Sequence, residues 1–131
     1  MTAGLISGTK KPQAPKQLIF VKPDDTVGVA LEKMDELGLS QIPVLEEGKC
    51  AGSLRENRVL AKVVRDRELL NAAVREVMES GFPTVDVDAS ASEVTRRLQS
   101  SSAVLVEEYG RITGIITRHD VLDLKLKNVA Q

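Results

Sequence analysis

The stretch Gly114-Ile115-Ile116-Thr117-Arg118-His119-Asp120 carries the sharpest chemical signal in the sequence. It reads as the end of a strand running into the start of a helix. Thr117 and Asp120 have the spacing of a capping box, whose side chains satisfy backbone N–H groups left unpaired in a first helical turn. The same residues could do a second kind of chemistry. A helix start offers bare amide donors and a partial positive charge, which suit a phosphate or another anion. An ionised Asp only accepts hydrogen bonds, and its two oxygens match the vicinal hydroxyls of a ribose. Gly114, just before the strand end, would let a ligand approach the backbone. Local spacing alone leaves helix cap and ligand contact both open.

The elements that must position these residues occur twice. Leu18-Ile19-Phe20-Val21 reads as a short buried strand, ended by Lys22-Pro23-Asp24-Asp25. Thr26 can then cap a helix in which Val27, Ala30, Leu31, Met34 and Leu37 form one apolar stripe and Gly38 supplies the stop. Gln41–Leu45 and Cys50–Leu54, around a Gly-bearing turn, predict a hairpin. Arg55 to Val64 follows with Val59, Leu60, Val63 and Val64 at helical spacing. The order then recurs: a strand over Pro83–Val87, a helix capped by Ser90 and Glu93 with Ala91, Val94 and Leu98 inward, and strands over Ala103–Val106 and Ile112–Ile116. A closing helix is expected from about Arg118 to Lys125, with Val121, Leu122 and Leu124 as its apolar contacts.

The fold class is therefore α+β, built from two β-α-β-β-α repeats. The expected boundaries are 1–17 for a flexible arm, 18–65 for the first repeat, 66–79 for a linker helix, 80–127 for the second repeat and 128–131 for a tail. Leu69, Leu70, Ala73, Val74 and Val77 are the residues that suggest the linker helix. Each repeat alone is too small to bury much surface, so the two are expected to fold as a pair.

Composition excludes several functions. Of the 131 residues, 18 are basic and 19 acidic, so no global field draws the chain to nucleic acid or an anionic membrane. Aromatic residues make up only 2%, which argues against base stacking on single strands. There is no secretory segment, and no apolar run approaches the ~20 residues of a membrane span. The lone Cys50 fits a reducing cytoplasm and reads as a small core residue. With one His, no phosphate loop ahead of a Lys and no metal-ligand spacing, the chain is expected not to be an enzyme and to hold no catalytic residue, metal or cofactor.

The doubled unit, together with Gly38-Leu39-Ser40-Gln41-Ile42-Pro43-Val44 and Gly114–Asp120, resembles a tandem pair of cystathionine β-synthase (CBS) domains, a Bateman module. The resemblance covers about Leu18 to Leu124. More narrowly, it is similar to the carboxy-terminal regulatory region of bacterial cystathionine β-synthase-like enzymes that use pyridoxal phosphate. It implies two repeats packed with pseudo-twofold symmetry and a regulatory ligand in the cleft between them: AMP, ADP, ATP or S-adenosylmethionine. It carries Thr117 and Asp120 to the ribose, with Ile115 and His119 at the edge and Arg118 open to a phosphate. In the first repeat it carries Ile19, Leu39, Gln41 and Ile42 to the adenine. It also implies a homodimer, and possible control of a catalytic domain of the same parent chain. The alternative is an assembly module without ligand.

One departure from the family pattern stands out. The first repeat has Gly52-Ser53-Leu54-Arg55-Glu56-Asn57-Arg58 where the second has Gly114 to Asp120. Arg55 replaces the Thr and Arg58 the Asp, so no carboxylate awaits a ribose there. One competent position is expected, with the other weak, empty or filled by protein side chains.

Overall fold

Thr26 opens the first helix, α1 (Val27–Leu37), by accepting a hydrogen bond from Val29 N–H at 3.2 Å. Gly38 ends it in the left-handed region, φ 66°, which a residue without Cβ adopts freely. The computed structural model describes residues 18–121. Those residues divide into two compact units, 19–83 with 109–112, and 84–108 with 18 and 113–121. Together they form an α+β fold of two repeats.

In the first unit, β1 (Gln41–Glu46) pairs antiparallel with β2 (Lys49–Arg55), and Ile42 faces Leu54. The turn places Glu47 and Gly48 at φ 53° and 80°, the paired positive values that match the twist of a tight hairpin. Helix α2 (Glu56–Arg65) follows directly. Val27, Ala30, Met34, Ile42, Val44, Leu54, Val59, Val74 and Val77 are core residues of this unit. Leu37 leaves the α1 stripe and is 52% exposed. Ten residues at 3.6 per turn carry it about 80° from Val27. Leu54 is 1% exposed and Val64 81%. Leu54→Ala should therefore cost about 2–5 kcal/mol in denaturant titration, against roughly 0.5 kcal/mol or less for Val64→Ala.

Two expected elements come out differently. The strand over Leu18–Val21 reduces to one parallel bridge, Val21 to Val44. Val21 N–H donates to Pro43 O at 3.1 Å and Leu45 N–H to Val21 O at 2.9 Å. The ladder stops there because Lys22 N–H turns to Asp25 Oδ2 and Pro23 has no N–H to donate. The linker is not an α-helix but two 3₁₀ turns, Arg67–Asn71 and Val74–Glu76. Between them Ala72 and Ala73 are extended, and their neighbourhood bonds to distant backbone. Val27 N–H donates to Ala72 O, Val74 N–H to Asp25 O and Arg75 N–H to Pro23 O. Arg75 also binds Asp24 at 2.6 Å, a hydrogen bond that raises the guanidinium pKa. Cys50 is half-buried on β2 rather than in the core, with Sγ 3.4 Å from Gly52 O.

In the second unit, β3 (Thr84–Asp86), β4 (Ala103–Glu108) and β5 (Arg111–Thr117) form a sheet in that order. β3 runs parallel to β4, Val85 beside Val106. Ser90 caps α3 (Ala91–Leu98) by accepting from Glu93 N–H at 3.1 Å. Val85, Leu98 and Val104 form the core, with Val94, Ile116 and Val121 packed against it. The closing helix is seen from Arg118 to Val121. The expected arm 1–17, the tail 128–131, and Leu122, Leu124 and Lys125 lie outside the described residues. Among the described residues no helix is long and apolar enough to cross a membrane, and no group of side chains could hold a metal ion.

Candidate functional site

Alternation along β5 sends neighbouring side chains to opposite faces. Ile116 packs on the core of its unit, whereas Ile115 is half-buried and outside that cluster. The strand ends at Thr117, and the reciprocal cap expected from the spacing is present. Asp120 Oδ2 accepts from Thr117 N–H at 2.9 Å and from the Thr117 hydroxyl at 3.0 Å. Asp120 N–H approaches Thr117 Oγ1 at 3.4 Å. The carboxylate therefore does cap the helix.

Gly114 is informative because the described chain does not require it. Its φ is not positive, and among the described residues a Cβ built on it would meet only Val106 Cβ, at an ordinary 3.8 Å. Arg118 is tied to the preceding helix through one guanidinium nitrogen. Its Nε donates to Leu98 O at 2.8 Å and so caps the end of α3. His119 is exposed on the first turn of the closing helix. Ile115, Thr117, Arg118, His119 and Asp120 are thus brought together around the end of β5.

The other expected contacts lie in the first unit. Ile19 and Leu39 are half-buried against its core, and Gln41 begins β1. Ile42 is fully buried in that core, so only its backbone could meet a ligand. The first-repeat counterpart of Gly114 behaves oppositely to it. A Cβ on Gly52 would lie 2.8 Å from Glu79 O and 2.8 Å from Met78 Sδ. Chain packing alone demands that glycine. Arg58, where the second repeat has Asp120, is paired with Glu79. Nothing local signals Glu79, 21 residues further along the chain.

Comparison with known proteins agrees with the doubled architecture. The CBS domain family model matches residues 15–71 and again 74–127. An inosine-5'-monophosphate dehydrogenase of Methanocaldococcus jannaschii is 30% identical over 111 residues, covering 82% of this chain and 21% of that protein. A zinc metalloprotease of the same organism is 28% identical over 104 residues, covering 79% of this chain and 28% of that protein. The chain thus spans under a third of the length of these relatives. Among solved structures, Staphylococcus aureus OpuCA gives a TM-score of 0.71 at 22% identity, with 85% of this chain and 94% of that one covered. A hypothetical conserved protein from Geobacillus kaustophilus gives 0.76 at 26%, with 85% and 89% covered. These relatives do not single out a pyridoxal-phosphate enzyme as the parent. Two family matches along one chain, on a fold of two repeats, show that this protein is a tandem CBS-domain pair and belongs to the CBS domain family.

Proposed function

We propose that this CBS pair is a non-catalytic regulatory module that binds an adenosyl compound: AMP, ADP, ATP or S-adenosylmethionine. Thr117 and Asp120 take the ribose, Ile115 and His119 line its edge, and Arg118 lies near any phosphate. Ile19, Leu39, Gln41 and the backbone of Ile42 serve the base. The observation that carries this reading is the Thr117–Asp120 pair beside a glycine that the described fold does not itself require. Binding would bias one arrangement of the repeats, which demands different affinity for two arrangements. The regulated partner is a catalytic or other domain in the same chain or a separate one. A cystathionine β-synthase-like enzyme is the narrower candidate, and the relatives named above extend the choice to other activities.

Isothermal titration with AMP, ATP and S-adenosylmethionine tests the proposal. Saturable binding of at least one is the expected result, and no heat and no thermal shift with any of them would overturn it. A second reading, an assembly module, has its own support. Leu60 is 44% and Val64 81% exposed on α2, one helical turn apart. A stable homodimer in sedimentation together with no ligand response would favour that reading.

A further inference from the structure

The turn that carries Thr117 and Asp120 is held to the core of its unit before, within and after the pair. Ile116 precedes the turn and Val121 follows it, and both pack against the core of Val85, Leu98 and Val104. Two such anchors leave the turn free to rock about the line that joins them. A contact from within the turn removes that freedom. Arg118 Nε donates to Leu98 O at 2.8 Å, and Leu98 is itself only 5% exposed in the same core. The end of α3 prepares this acceptor. Arg96 O receives Gln99 N–H at 3.2 Å, and Arg97 O receives Ser100 and Ser101 N–H at 3.3 and 3.1 Å. Leu98 O, the next carbonyl, receives the side chain of Arg118. A cation placed there also meets the negative end of the helix dipole.

We propose that Arg118 is a positioning residue of the adenosyl site, acting through Leu98 to fix the angle at which Thr117 and Asp120 present their oxygens to the ribose. The inference rests on the reading of those two residues given above. A hydrogen bond weakens steeply with misalignment, so the turn must hold one orientation before the ligand arrives. A turn that rocks is competent for only part of the time, and apparent affinity falls by that fraction. Because the loss arises at the sugar, it is the same whether or not the ligand carries phosphate. A direct phosphate contact behaves differently: its loss grows with ligand charge and leaves adenosine untouched.

Isothermal titration of the full chain with adenosine, AMP, ATP and S-adenosylmethionine, well below the Tm of every variant, separates the two roles. Arg118→Met keeps the length of the side chain and places a methyl where Nε stands. It should weaken every ligand that the parent binds by a similar factor, roughly fivefold. Arg118→Gln restores an N–H at the Nε position without the charge, and should recover most of that loss for each ligand. Arg118 is exposed, so both variants should keep the circular-dichroism spectrum of the parent. Loss confined to AMP and ATP in either variant would overturn the proposal in favour of a phosphate contact. Unchanged affinities in Arg118→Met, whatever its Tm, would also overturn it and leave Arg118 a stabilising cap of α3. A parent chain that binds none of the four removes the adenosyl reading itself, and this inference with it.

Discussion

Asp120→Ala is expected to weaken binding of the adenosyl ligand by roughly 100-fold, the loss of two charge-assisted hydrogen bonds at about 1.5 kcal/mol each. The substitution also removes the acceptor for Thr117 N–H and the Thr117 hydroxyl. Loss of a cap costs about 1 kcal/mol of stability. The two effects separate in Asp120→Asn. Its amide oxygen can still accept from Thr117 N–H, so helix capping largely persists. A sugar diol, however, faces one charged acceptor fewer. Asn should therefore keep a near-parental Tm while losing most of the affinity. Titration calorimetry and a thermal melt on the two variants measure both quantities. A chain that binds equally well after Asp120→Ala would reduce the carboxylate to a helix cap.

Alanine at the two matched glycines should have opposite consequences. In Gly52→Ala the new methyl meets a backbone carbonyl, Glu79 O at 2.8 Å, which cannot rotate away. Relief requires moving the Met78–Ser80 segment, and with it the two Ser53–Glu79 hydrogen bonds. Overpacking and those bonds together amount to about 3 kcal/mol, a fall of roughly 10 °C in Tm. In Gly114→Ala the methyl finds ordinary contact at 3.8 Å, and stability should change by less than about 0.5 kcal/mol. Binding should nevertheless weaken, because a ligand drawn up to that backbone meets the methyl. Differential scanning calorimetry of both variants, followed by ligand titration of Gly114→Ala, checks the contrast. Equal destabilisation at the two sites would show that the glycines share one structural duty.

How far the residues announce this architecture depends on the range of the interactions involved. Helix α1 was legible because Thr26 and Gly38 act within one turn of its ends. Ser90 with Glu93, and Gly48 in the first hairpin turn, are equally local. The Thr117–Asp120 pair was legible for the same reason. The linker was not. Its apolar spacing suits a helix, yet backbone bonds from Val27, Val74 and Arg75 to distant partners hold Ala72 and Ala73 extended. The Arg118 bond to Leu98 O is not legible in its neighbours either, because that acceptor lies on another element. The Glu79 carboxylate on Arg58 is likewise a contact made by tertiary folding, and no pattern in the neighbouring residues announces it.

Sugar hydroxyls recognised by one acid give a difference that a single comparison can read. Affinities of ATP and of 2′,3′-dideoxy-ATP for the wild-type chain, repeated on Asp120→Ala, form a complete cycle. The account predicts that wild type prefers the diol by roughly 100-fold and that the preference vanishes without the carboxylate. Equal affinity of wild type for the two nucleotides would contradict it.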